Sequence, residues 1–335
     1  MDADQTSPPQ AKPPPNAPDP AWRQVRLPFR PPLPLAGLIT FFGRRAIPGV
    51  EEVVDGRYVR SVRLPGGVGV VAVEGVADTE GGDGFVAAGI RLPTRGPIRG
   101  PARAAARPGS EDPLPDAPGD LDAAVAVVRR ALDLDCDPAT VDAALGADPL
   151  LAPLVAATPG RRAPGHVDGG ELAVRAVLGQ QVSLSAARRL AGHLAALCGD
   201  PLPHPVGGVT TAFPTPAAIA EADLDRIGMP GTRRTTLRTL ALRLADGDIS
   251  LGPDADPDEV ERRLLEIRGI GPWTAAYVRM RGLGDRDVLL ATDLGVRHAL
   301  DRLGAGGVDP AALARRWSPW GSYAVQHLWA SLAIE

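Results

Sequence analysis

Apolar residues follow two different rhythms along this chain, and the change falls near residue 110. From Gln24 to about Arg107 they come in short segments cut by Gly and Pro: QVRLPF, RYVRSVRL, GVGVVAVEG and GFVAAGIRL, with one helical stretch, LAGLITFFGRRA. Alternating, Val-rich segments are the period of strands with a buried face, so an antiparallel sheet with one helix against it is predicted. Further on, DLDAAVAVVRRALDL, DPATVDAALG, ELAVRAVLGQQVSLSAARRLAGHLAAL, TRRTTLRTLALRLADG and DPDEVERRLLEIRG carry apolar residues at i, i+3 and i+4. That spacing is one face of a helix, and several of these stretches open on Asp or Thr as caps. The fold class predicted is an α+β N-terminal domain followed by an all-α region. No fixed-period repeat is visible, which disfavours a solenoid.

These rhythms divide the 335 residues into four parts. Residues 1–22 are Pro-rich, small and polar, and are expected to be a disordered tail. Residues 23–108 form the α+β domain, 109–119 (GSEDPLPDAPG) a linker, and 120–335 the helical region with two subdomains. Composition changes little here: 44% hydrophobic and 23% charged residues are ordinary for a globular chain. No apolar run approaches the roughly 18 residues of a membrane span, and the N-terminus lacks a basic start and an apolar stretch. A cytoplasmic protein without a membrane partner is expected.

Candidate chemistry is narrowed by what the chain lacks. Cys136 and Cys198 are the only cysteines, too few for a disulfide framework, a four-cysteine iron–sulfur cluster or an all-cysteine zinc site. The five histidines show no paired metal-ligand spacing, so neither a metal nor another cofactor is expected. Lys12 is the sole lysine and lies in the tail. A net charge of −4 argues against a polybasic coating protein, yet leaves room for a nucleic-acid enzyme with a local basic surface.

Residues 264–278, LLEIRGIGPWTAAYV, read as a helix, a tight Gly-Ile-Gly turn and a second helix with Pro272 in its first turn. Such a helix–hairpin–helix presents backbone N–H groups of Gly269, Ile270, Gly271 and Thr274 at a positive helix end, suited to a DNA phosphate. Alone, the motif favours that phosphate site over an ordinary helical hairpin turned by Gly. About twenty residues on comes DVLLATDLGVRHAL, in which Asp293 opens the next helix. By itself an Asp there is most simply an N-cap.

A helix–hairpin–helix followed by an Asp at this distance resembles the helix–hairpin–helix DNA glycosylase superfamily, and specifically its 3-methyladenine DNA glycosylase II family. FFGRRAIPGVEEVVDGRYVRSV, LDLDCDPATVDAALG, RAVLGQQVS and RWSPWGSYAVQHLW resemble further segments of that family, in the same order. The resemblance implies an N-terminal α+β domain and two helical subdomains with the cleft between them, acting as a monomer on damaged double-stranded DNA by base flipping. It implies that Asp293 is the catalytic carboxylate; Thr292, immediately before it, is read from its position as the helix cap that frees Asp293 for the cleft. It also implies a base pocket of Trp273, Tyr277 and Trp329, with Phe41 reaching in from the N-terminal domain.

Trp273 and Tyr277 are four apart and share a helix face, and electron-rich rings suit a cationic alkylated purine. Core packing is the expectation for Trp317 and Trp320. Gln181 falls where the family places the wedge that fills the gap left by a flipped nucleotide; a solvated helix-end amide is the alternative. No proline stands in Gly282–Thr292, where the superfamily commonly has one. Bifunctional members carry a Schiff-base lysine in the hairpin where Trp273 stands here. The expected activity is therefore monofunctional excision of alkylated purines, leaving an abasic site. Two rivals are a glycosylase of the same superfamily for deaminated or oxidised bases, and a non-enzymatic DNA-binding module.

Overall fold

The structure is a computed structural model and describes residues 21–78, 84–93 and 119–332. Residues 1–20 of the expected tail and 109–118 of the expected linker lie outside the described residues, whereas Trp22 already belongs to a strand. The N-terminal unit runs β1 (Trp22–Phe29), α1 (Leu35–Gly43), β2 (Glu51–Val54), β3 (Arg57–Leu64), β4 (Gly67–Asp78) and β5 (Gly84–Arg91). The five strands form one antiparallel sheet in the order β1-β5-β4-β3-β2. Its buried face is filled by Leu27, Val62, Val71, Val86 and Ile90, and α1 lays Leu35, Leu38 and Phe42 against it.

The next helix, α2 (Asp120–Leu132), also joins this core through Ala124, Val128 and Leu132. Sequence division assigned it to the helical region, because a helix's period does not say which partner receives its apolar stripe.

The remainder contains α3 (Pro138–Gly146), α4 (Ala152–Ala157), α5 (Gly169–Leu178), α6 (Leu184–Cys198), β6 (Asp200–Val206), β7 (Val209–Ala212), α7 (Pro216–Glu221), α8 (Gly231–Ala245), α9 (Pro257–Leu265), α10 (Pro272–Val278), α11 (Leu294–Arg302), α12 (Pro310–Trp317) and α13 (Gly321–Ser331). It is not all-α: β6 and β7 pair as an antiparallel hairpin. The hairpin leans on the first sheet, with Thr210 and Thr211 amides donating to Gly49 O at 2.8 and 2.9 Å and Ser61 Oγ donating to Thr211 O at 2.9 Å. DPLPHPV carries three prolines in seven residues and cannot supply a helical ladder, so it takes the extended alternative.

Two helical cores result. One gathers Leu194, Leu237, Leu240, Leu264 and Val278 from α6, α8, α9 and α10. The other gathers Leu145, Leu151, Val296, Leu313 and Leu328 from α3, the start of α4, α11, α12 and α13. Tyr277 packs against both, which places α10 at their junction. After α10 the chain continues for one π-helical turn, Arg279–Leu283. Among the described residues no helix is long and apolar enough to cross a membrane, and no group of three or more His, Cys, Asp or Glu is placed to hold a metal ion.

Candidate active site

The hairpin forms as its spacing predicts, but its two glycines do different work. Asp256 caps α9 by accepting from the Asp258 amide at 2.9 Å, and the helix ends where Ile267 and Ile270 turn into the core. Gly269 has φ +97° and its missing Cβ would run into Thr236 Oγ1, which donates to Arg268 O at 2.8 Å. Only glycine fits there. Gly271 is extended and a Cβ on it meets nothing within 4 Å, so its space is left open toward solvent.

Arg268, Gly269, Gly271 and Pro272 are exposed on the outside of the turn. Ile270 and Thr274 face inward: the Ile270 amide donates to Ile267 O at 3.0 Å, and Thr274 Oγ1 accepts from Gln180 Nε2 at 3.2 Å. The same amide of Gln180 donates to Gly269 O at 2.9 Å, tying the end of α5 to the hairpin. Gln181, its neighbour, is exposed at the break between α5 and α6 with φ +55°. Left-handed backbone is unfavourable for a residue with a Cβ, and such positions cluster at functional sites.

Asp293 is both a helix cap and a cleft residue. Its Oδ1 accepts from the Val296 amide at 2.9 Å, which makes it the N-cap of α11. Thr292 is exposed and does not cap the helix, which corrects the expectation that it would free Asp293. The carboxylate still reaches the cleft because two indoles hold it there. Trp329 Nε1 donates to Oδ1 at 2.8 Å and Trp273 Nε1 donates to Oδ2 at 3.0 Å. A Cβ at Gly295 would lie 3.0 Å from Asp293 Oδ1 and 3.2 Å from the Trp329 ring, so glycine in the first turn lets the indole approach. A glycine inside a predicted helix was the available signal for this close contact.

These groups line a cleft of about 470 Å³ between the N-terminal sheet and the helical cores. Trp273, Tyr277, Trp329 and Asp293 form one side. Trp273 and Tyr277 stack on each other with centroids 5.2 Å apart and planes 7° from parallel, so nothing fits between them. Trp329 lies 6.5 Å from Tyr277 and is tilted by 53°. Phe42, not Phe41, is the phenylalanine on the cleft wall. Phe41 instead lies beneath two guanidinium groups, Arg45 at 3.7 Å and Arg281 at 4.7 Å from its ring centre. Trp317 is a core residue that donates to Asp148 Oδ2 at 2.9 Å.

The deep end of the cleft carries a polar network that sequence reasoning missed. Arg175 Nη1 donates to Glu51 Oε1 at 2.6 Å and Glu171 Oε1 at 3.0 Å. Arg60 Nη2 donates to Glu171 Oε2 at 2.8 Å, and the Tyr58 hydroxyl donates to Glu51 Oε2. Burial opposes charge on Glu51, but Arg175 and Arg60 hold its carboxyl below the usual range. His166 is buried beside Arg175, Arg60 and Arg281, and burial first, those charges second, push it well below its ordinary value and keep it neutral. Strand alternation held the signal: Tyr58, Arg60, Val62 and Leu64 share one face of β3, so an arginine stands in the apolar row.

Next to this network, Arg281 Nη1 donates to the Tyr277 hydroxyl at 3.4 Å and Arg281 Nη2 to Gly165 O at 3.0 Å. Burial lowers the Arg281 guanidinium to about 10.

Residues 24–94 and 114–168 match the family described as the AlkA N-terminal domain. The chain is 33% identical over 311 residues to DNA-3-methyladenine glycosylase 2 of Escherichia coli, covering 90% of this chain and 95% of that protein. It is 40% identical over 310 residues to the probable bifunctional transcriptional activator/DNA repair enzyme AlkA of Mycobacterium tuberculosis. That match covers 92% of this chain and 57% of the relative, so the chain spans little more than half of the relative's length.

Among solved structures, 3-methyladenine DNA-glycosylase from Archaeoglobus fulgidus superposes with a TM-score of 0.69 at 21% identity, over 93% of this chain and 98% of that one. The 8-oxoguanine glycosylase/lyase of Clostridium acetobutylicum superposes with a TM-score of 0.61 at 17% identity, over 85% and 88%. The fold is therefore that of the helix–hairpin–helix glycosylases, as the family resemblance implied.

Proposed function

Because the chain belongs to the DNA-3-methyladenine glycosylase 2 family, we propose that it hydrolyses the N-glycosidic bond of alkylated purines, such as 3-methyladenine and 7-methylguanine, in double-stranded DNA. The observation that carries this reading is the Asp293 carboxylate, fixed by two indole N–H groups and one backbone amide on the wall of an aromatic cleft. Breaking an N-glycosidic bond develops positive charge on the sugar, and a preorganised carboxylate beside C1′ stabilises it without reorganising as the bond breaks. A purine methylated at N3 or N7 is already cationic and leaves as a neutral molecule.

The flipped base would stack on the side of Trp329 that faces Tyr277, since the inner face of Trp273 is taken by Tyr277 and the Trp329 ring stands 6.5 Å from Tyr277, tilted by 53°. Exposed in strained backbone at the tip between α5 and α6, Gln181 suits the wedge that fills the vacated stack. The outer backbone of the Gly269–Gly271 turn would take a phosphate and carry no lesion information. Trp273 stands in the position of the Schiff-base lysine, so we read the enzyme as monofunctional, with no lyase step and no cofactor. Incubation with methylated duplex DNA should release free 7-methylguanine and 3-methyladenine and leave abasic sites. Binding without base release would support a DNA-binding module instead.

A further inference from the structure

A single carboxylate serves a base that leaves as a neutral molecule, but a neutral purine departs as an anion unless something gives it a proton. The cleft holds a group in place to do so. Tyr277 lines the cleft, and both guanidinium groups that flank its hydroxyl, Arg45 and Arg281, line it as well. Arg281 donates to the phenol oxygen from 3.4 Å. It is held there because its Nε and Nη2 donate to the carbonyls of Pro164 and Gly165. Arg45 is pinned by stacking on Phe41 at 3.7 Å and by donating to Phe41 O at 3.2 Å. The phenol oxygen thus faces donors, and among the described residues no protein acceptor receives its proton.

We propose that the Tyr277 hydroxyl is the proton donor to the leaving base when that base is a neutral purine such as hypoxanthine. This deepens the glycosylase reading above and rests on it. As the C1′–N9 bond breaks, its electron pair goes to the purine, the phenol O–H bond breaks, and the proton passes to a ring nitrogen of that purine. Water adds to C1′ and gives its proton to Asp293, which releases it to solvent, and the phenolate is reprotonated from solvent. Negative charge left on Tyr277 lies against two guanidinium groups. Burial works against ionising this phenol, yet Arg281, Arg45 and Arg175 bring it below its ordinary value. Of the charged groups that line the cleft, Arg45, Arg60, Arg175, Arg188 and Arg281 outnumber Glu51 and Asp293, and His166 is neutral. That positive charge stabilises the phenolate left on Tyr277 once its proton has passed to a neutral base.

The test compares single-turnover release of hypoxanthine and of 7-methylguanine by the native protein and by Tyr277→Phe, which keeps the ring stack and removes the proton. General acid catalysis contributes about 100-fold or more, so the hypoxanthine rate should fall about 100-fold further than the 7-methylguanine rate. Equal losses on the two bases would make Tyr277 a wall residue and overturn the proposal. So would 7-methylguanine release by the native protein with no hypoxanthine release. Failure to release either base overturns the proposal together with the glycosylase reading. A measurement independent of the variant's folding is the solvent deuterium isotope effect on the native protein. It should be larger for hypoxanthine than for 7-methylguanine, and equal effects refute a proton in flight.

Discussion

Replacing Asp293 with Asn tests the carboxylate with the least change of shape. Asn keeps a carbonyl oxygen in the Oδ1 position, where it still accepts from the Val296 amide at 2.9 Å and from Trp329 Nε1 at 2.8 Å. The helix cap survives. The new NH2 then sits where Oδ2 accepted from Trp273 Nε1 at 3.0 Å, and two donors face each other. Leaving that indole N–H unpaired costs about 1–3 kcal/mol; the alternative amide orientation is worse, because it sets the NH2 against two donors. The variant should therefore fold, melt at a lower temperature and bind DNA. Catalysis loses more, since removal of one preorganised electrostatic stabiliser costs about 2.7–4 kcal/mol of barrier, or about 100–1000-fold in rate. Single-turnover release of 7-methylguanine at saturating enzyme separates this loss from any change in affinity. An Asn variant that excises within tenfold of the native rate refutes the role given to the charge.

Borohydride added during turnover should trap no covalent enzyme–DNA adduct, because Trp273 replaces the hairpin lysine and the sole lysine is Lys12; an adduct that survives removal of residues 1–22 would show an amine nucleophile elsewhere. Gly271→Ala should leave the fold intact and weaken binding to damaged and undamaged duplexes by similar factors, whereas Gly269→Ala, strained by φ +97° and blocked by Thr236, should lower the melting temperature. A Gly271→Ala defect confined to one lesion would move that glycine from the phosphate contact to the base pocket. His327 is buried in α13, and burial and the Arg161 charge lower it to about 4. Its contribution to stability is complete above the unfolded value near 6.5 and lost as pH falls toward 4, about 3 kcal/mol in all. Urea unfolding between pH 7 and 4.5 should show a steeper decline for the native protein than for His327→Asn, and parallel curves refute the assignment.

What the sequence made legible follows from what each signal measures. Alternation in RYVRSVRL and GFVAAGIRL reports one buried face directly, and β3 and β5 lie there. The short strand Glu51–Val54 has no such alternation, because Glu51 is buried as an ionic partner of Arg60 and Arg175. Hydrophobic pattern is blind to a charge buried by pairing. Asp293 was legible from its distance to the hairpin, yet helix cap and cleft residue are not alternatives, since one oxygen does the capping and the other remains with Trp273. The aromatic residues were legible as a cluster and not in their orientation: spacing of four put Trp273 and Tyr277 on one face but did not say that their rings stack on each other. Phe41 and Phe42 are adjacent in sequence, and only the path of α1 over the sheet decides which one reaches the cleft.

In the role proposed for Asp293, its donors link folding to chemistry. Val296 belongs to the helix that Asp293 itself opens, Trp273 comes from α10 at the junction of the two helical cores, and Trp329 comes from α13 in the second core. The carboxylate therefore takes its final orientation only after α10, α11 and α13 have packed together. An unpacked chain would leave Asp293 free to rotate and surrounded by water, which must reorganise when charge appears on a sugar. In the folded protein that reorganisation has already taken place. The energy that orients the dipoles comes from burying the two helical cores, and under the proposed chemistry it need not be supplied again in each turnover. A carboxylate on an exposed loop, with the same pattern of neighbouring aromatic residues but without the two indole N–H groups, would have the charge and lack its fixed direction.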